Sequence, residues 1–280
     1  AYAALYSMNV LSPEDNAEDT AFVERNRLGL GDGPIGSLRE ILENDVGLRI
    51  FFIELPPHIS GIYGYIDELG GCIAINSAHP EERRRLSLAH EYAHFLTERY
   101  TPEISTVSNF KRRSSSEQFA DSFASSFLMS ERGLRHRFNN AHRTRNGQVT
   151  ATDIYNLSRY YFVSLETLSL KLEKMRLLPK GTWNRLREQG FNGREAQRLL
   201  GFNPRPAVDH KLPLRYQLLA MEAYMKGDLT EGQLSSLMEV DRLMTRKLAQ
   251  ELTGVSHMSE AGELTGLSLD LAESLGDVDL

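Results

Sequence analysis

Residues 90–94 read His-Glu-Tyr-Ala-His, inside the run RLSLAHEYAHFL, and no other feature constrains this chain as much. Two histidines four apart stand one above the other on a helix face, so both imidazoles can reach a single metal ion. The pattern therefore demands a helix here. Leu86, Ala89, Ala93, Phe95 and Leu96 give that helix apolar flanks, and neither Gly nor Pro falls between Glu81 and Tyr100. Glu91 follows the first histidine and projects beside the metal, where it can take a proton from a water. Zinc is the usual ion for such a site, although Mn2+ or Fe2+ can occupy mixed nitrogen and oxygen donors.

A catalytic zinc needs a third protein ligand and an open fourth position. The run SSSEQFADSFASSFLMS supplies a candidate. Glu117 and Asp121 are four apart and share a helix face, while Phe119, Phe123, Phe127 and Leu128 give the same helix an apolar side. Glu117 would complete a set with His90 and His94. Asp121 could accept the ring N–H of a liganding histidine, which fixes the tautomer and raises the basicity of the other nitrogen. Hydrolysis of a peptide also needs a donor for the oxyanion. Tyr65, Tyr92, Tyr100 and His136 all remain open for that role.

Three segments together resemble the ImmA/IrrE family of metallopeptidase-like proteins, whose core is similar to the thermolysin-type gluzincins. They are ISGIYGYIDELGGCIAIN, RRRLSLAHEYAHFL and EQFADSFASSFLMS, spread over residues 59–130. The family's second helix carries Glu-x-x-Ala-Asn/Asp, then Phe-Ala and a Leu-Met-Pro-like end. Glu117, Ala120, Asp121, Phe123, Ala124, Leu128 and Met129 match it here, and Ser130 stands where proline is common. The resemblance implies zinc ligation by His90, His94 and Glu117, general-base catalysis by Glu91, and a supporting role for Asp121. It also implies a narrow substrate, a helix-turn-helix repressor whose cleavage turns on stress-response or mobile-element genes. The alternative is a metal-binding transcriptional regulator, or an antitoxin-like partner module, that binds DNA or a repressor without cutting it.

Strand, hairpin and helix signals predict an α+β domain over 1–130. Residues 13–28 and 35–46 read as helices, 48–55 as a strand ended by Pro56-Pro57, and 61–76 as two strands about Glu-Leu-Gly-Gly. The expected arrangement is zincin-like, with the HExxH helix packed on a small antiparallel sheet. From 131 onward an all-helical region is expected. Residues 131–204 hold a helix-turn-helix-like unit, 205–257 form further helices, and 258–280 make an acidic, mobile tail or a short docking helix. Within 150–178, Ser164 is expected to cap a second helix that exposes Glu166, Thr167, Lys171 and Lys174, which keeps DNA contact conceivable there.

Charge is divided unevenly: −8 over 1–130, +8 over 131–257 and −6 over the last 23 residues. A basic second half steers acidic partners, and a protein partner is favoured over DNA. No run approaches a membrane span, and the first residues do not read as a signal peptide. The chain starts at Ala1 rather than Met, which leaves room for an upstream segment. Cys72 is the single cysteine, so no internal disulfide can form; this fits a reducing cytoplasm, with Cys72 itself expected as a small buried residue.

Overall fold

A computed structural model describes residues 13–100, 114–144, 147–191, 211–258 and 264–268. The chain divides into two compact units, Ala1–Lys211 and Leu212–Leu280.

In the first unit, α1 (Pro13–Arg27) and α2 (Leu38–Asn44) precede β1 (Arg49–Ile53), β2 (Gly61–Ile66) and β3 (Gly70–Asn76). Then come α3 (Glu81–Thr97) and α4 (Ser115–Leu128). The sheet order is β1-β3-β2. It is mixed rather than antiparallel: β3 pairs antiparallel with β2 (Gly61 with Ile75) but parallel with β1 (Arg49 with Cys72). The reason lies in the connection after β1. Pro56 and Pro57 cannot continue a ladder, and their carbonyls need donors from elsewhere. Asn76, fully buried at the end of β3, provides them: its Nδ2 donates to the carbonyls of Leu55, Pro56 and Ile59 at 3.0, 3.2 and 2.9 Å. The loop is thereby wrapped round β3, which sits between β1 and β2. Cys72 is half-buried rather than fully enclosed.

One face of the sheet carries α3. A Cβ at Gly71 would fall 2.9 Å from the Phe95 ring and 2.6 Å from Leu48, so the bare backbone there is what lets the helix approach. On the other side of α3, Tyr92 meets the Phe123 ring at 5.8 Å, within a stack of Phe119, Phe123 and Phe127 along α4. Such aromatic burial supplies much of the core's stabilisation. Ala17 and Ala21 let α1 lie close along α4, and the buried Arg25 donates 2.5 Å bonds to the carbonyls of Phe127 and Gly33. This satisfies a carbonyl that the end of α4 would otherwise leave orphaned.

The unit continues through α5 (Glu131–Thr144), α6 (Ala151–Tyr161), α7 (Leu165–Lys174) and α8 (Thr182–Glu188). Of these, α5 buries Leu134 and Phe138. A three-residue turn joins α6 to α7, and Ser164 caps α7 by accepting the Thr167 N–H at 3.0 Å. Of the residues expected to be exposed on α7, Glu166 and Lys174 are, but Lys171 is not. Lys171 is buried and donates to Ser126 at 2.9 Å and Glu18 at 3.3 Å. Lys174 pairs with Glu18 and Glu14 at 3.0 and 3.2 Å. Lys171 is thus withdrawn from the surface, while Lys174 stays exposed beside its carboxylate partners.

The second unit holds α9 (Leu214–Met225), α10 (Glu231–Met238) and α11 (Arg242–Thr253), with Ala220, Met221, Leu234 and Met238 in its core. A hairpin of β4 (Gly254–Met258) and β5 (Leu264–Ser268) follows, so the region is not all-helical. β-branched Val255 and Thr265 lie in these paired strands, opposite Leu267 and His257. Strand β5 thus replaces part of the expected mobile tail or docking helix, while residues 269–280 lie outside the described residues. Among the described residues, no helix is long and apolar enough to cross a membrane.

Candidate metal centre

His90 and His94 project from α3 toward α4, whose first turn is fixed by Ser114 accepting the Glu117 N–H at 3.2 Å. The apolar stripe of α4 faces Tyr92, whose ring meets Phe123 and Phe127, and the neighbouring 117–121 stripe faces the histidines. The Nε2 atoms of His90 and His94 lie 3.2 Å apart, and each lies 3.5 Å from a different carboxylate oxygen of Glu117. The structure brings Asp121 to the same cluster: its Oδ1 is 3.1 Å from Nδ1 of His90. Glu98, unremarked in the sequence, lies 2.9 Å from Nδ1 of His94.

These contacts define proton positions. With both Nδ1 atoms donating to carboxylates, both Nε2 atoms carry lone pairs aimed at each other and at Glu117. An electron-rich convergence of this kind is repulsive unless a cation or proton lies within it. The distances suit a metal. A tetrahedral ion with bonds of about 2.0–2.1 Å separates its donors by roughly 3.3–3.5 Å; the two Nε2 atoms are 3.2 Å apart, and one atom from each of His90, His94 and Glu117 lies within 4.8 Å of the others. The residues present therefore fit an ion held by two imidazoles and one carboxylate.

In the metal-free chain a proton takes part of this role. Burial opposes protonation of His90, but hydrogen bonds to Asp121 and Glu117 outweigh it and raise its pKa to about 10. His94 shifts the same way, against burial, chiefly through Glu117. Glu117 is held well below the usual carboxylate range by its bonds to the two histidines. A raised imidazole pKa stabilises the metal-free fold fully below about pH 6.5 and loses that contribution as pH rises through about 10. Metal needs the same lone pairs, so its uptake must expel the proton. Zinc affinity should then rise with pH across this window, with net proton release on uptake. Calorimetry in two buffers of different ionisation enthalpy measures that release; zero release would contradict the arrangement.

Glu91 points differently. It is almost fully buried and lies against β2, accepting the backbone N–H of Tyr63. Its Oε2 has no hydrogen-bond partner among the described residues. Burial raises its carboxyl pKa, His90 and His94 pull it back down, and Glu117 raises it again. The close neighbour is Gly61, where a Cβ would come within 2.8 Å of Glu91 Oε1. Gly61 is a second functional position that sequence reasoning passed over, because its role is to leave space.

Of the open oxyanion donors, Tyr92 is removed. Its hydroxyl donates to the buried Glu24 at 2.5 Å and accepts from Arg27 at 3.1 Å, on the α1 side of α3. His136 bonds to Asn140 one turn along its own helix. Tyr65 and Tyr100 pack edge to face, ring centroids 5.0 Å apart.

Residues 43–173 match the Peptidase_M78 family, described as the IrrE N-terminal-like domain. The match runs from the end of α2 into α7 and contains every residue of the cluster, whereas α1 lies outside it. No curated protein matches the chain.

Proposed function

We propose that this chain, whose residues 43–173 match the IrrE N-terminal-like Peptidase_M78 domain, is a zinc-dependent endopeptidase. The observation that carries the reading is the pairing of a three-donor metal set with one uncommitted carboxylate. A structural metal site has no use for a buried acid such as Glu91 with an unpartnered oxygen. His90, His94 and Glu117 would hold the ion, and two imidazoles with one carboxylate is a donor set that catalytic zinc commonly takes. When bound, the ion supplies Lewis acidity, polarising the scissile carbonyl and acidifying a water. Glu91 then accepts the water's proton on Oε2 and passes it to the departing amine. Asp121 keeps His90 in the tautomer that leaves its Nε2 lone pair available.

The substrate we infer is one helix-turn-helix repressor, cut to derepress stress-response or mobile-element genes, with the chain acting in the cytoplasm. Support for this comes from the ImmA/IrrE resemblance and from the basic charge after residue 130, which suits an acidic protein. Binding to DNA or to a repressor without cutting is the competing reading. Burial of Lys171 against Glu18 and Ser126 weakens its DNA form. The test is incubation with repressors encoded in the same genome, followed by mass spectrometry. One repressor should give two fragments with zinc present and none after chelation. Binding without cleavage in the zinc-loaded state would sink the peptidase reading, as would cleavage that survives chelation.

A further inference from the structure

We infer that Glu98 is a positioning residue that orients His94, so that each imidazole of the metal set has its own carboxylate. The inference rests on the metal-centre reading above and adds a residue to it. Asp121 reaches His90 from another helix, at 3.1 Å. Glu98 reaches His94 from the end of the same helix, and it does so twice. Its backbone N–H donates to the His94 carbonyl at 2.7 Å, and its Oε2 accepts from His94 Nδ1 at 2.9 Å. The second grip is possible because α3 stops at Thr97: Glu98 leaves the helical conformation, with φ −129° and ψ 35°, and its side chain turns back one turn.

The chain beyond Glu98 is itself held. Tyr63 of β2 donates its hydroxyl to the Arg99 carbonyl at 2.7 Å, and the Arg99 guanidinium lies 4.3 Å from the centre of the Phe95 ring. Both contacts fix the direction in which the helix ends, and so the direction from which Glu98 approaches. Glu98 is also drier than its counterpart, with 24% of its side chain exposed against 43% for Asp121. A charge-assisted hydrogen bond is stronger where water competes less. The Nδ1 bond holds the ring so that Nε2 faces His90 and Glu117, and it makes that nitrogen a better donor.

Zinc affinity, measured by competition with a chelator of known strength, tests this. Glu98→Ala should weaken binding roughly 10–100-fold, at least as much as Asp121→Ala does. Glu98→Gln keeps an acceptor oxygen at the same reach and should recover most of the loss. A downfield His94 Nδ1 proton should appear in the NMR spectrum of the zinc-loaded wild type and vanish in Glu98→Ala. A merely structural role would lower the melting temperature of the metal-free protein while leaving zinc affinity and that proton unchanged, and this result overturns the proposal. If Glu98→Ala fails to fold, Glu98→Leu, which fills the space but cannot accept the bond, replaces it: wild-type affinity there with an unshifted His94 proton overturns the proposal as well. His90→Ala separates the two readings. Lost zinc binding there, beside wild-type binding in Glu98→Ala, rejects Glu98 alone. Zinc binding intact in His90→Ala rejects the metal centre itself.

Discussion

Glu91→Gln should bind zinc as tightly as wild type and cleave its substrate about 10²–10⁴-fold more slowly. Glutamine keeps the size of the side chain and can still accept the Tyr63 N–H, so the packing against β2 survives. The three candidate ligands are other residues, all brought within 4.8 Å of one another without Glu91. Only the proton acceptor disappears. Wild type should also show an acid limb in its pH–rate profile as Glu91 becomes protonated, and that limb should be absent from the variant's residual rate. Zinc content by mass spectrometry and single-turnover cleavage would check both parts. Near wild-type cleavage by Glu91→Gln would rule out Glu91 as the base. The inactive, zinc-loaded variant should in addition hold its substrate long enough for the pair to be isolated.

The helical half of the site was legible in the sequence, and the reason is local geometry. Spacings of four on α3 and α4 put His90 with His94 and Glu117 with Asp121, whatever the rest of the chain does. Phenylalanines at 119, 123 and 127 indicated which side of α4 would be buried, hence which side could face the histidines. Glu98 follows the same rule and was equally available, one turn beyond His94. What escaped depends on partners distant in sequence. Parallel pairing of β1 with β3 turns on a loop wrapped by Asn76, and no strand propensity reports that. Lys171 looked like a groove-facing cation because its helix is amphipathic, yet Glu18, 153 positions earlier, takes it into the core. Tyr92 sits beside a metal-binding pattern but one residue round the helix, and it therefore faces Glu24 instead of the site. These differences share one cause: periodicity tells which face is buried, and not against what.

Gly61→Ala should keep zinc and lose about 100-fold in cleavage. Gly61 opens β2, paired with Ile75, at the point where that strand passes Glu91. An added Cβ would stand 2.8 Å from Glu91 Oε1, 2.9 Å from its Cγ and 3.0 Å from Ile75 Cδ1. Those are overlaps with a side chain that is itself almost wholly enclosed, so Glu91 cannot simply swing into solvent. It must shift within the site, and a misplacement of about 1 Å is enough to cost roughly 10²-fold when a reacting group is involved. Overpacking of this kind also destabilises by about 1–3 kcal/mol, which a melt of the zinc-loaded protein would register without loss of the fold. None of the three atoms nearest the new methyl belongs to His90, His94 or Glu117, so metal affinity should stay within a few-fold of wild type. A double-mutant cycle decides whether the loss runs through the base. If Gly61 acts by making room for Glu91, adding Gly61→Ala to Glu91→Gln should cost little more than Glu91→Gln alone. Full additivity would mean that the methyl harms some other step, and a Gly61→Ala protein cleaving at the wild-type rate would mean that Glu91 does not need the space β2 leaves it.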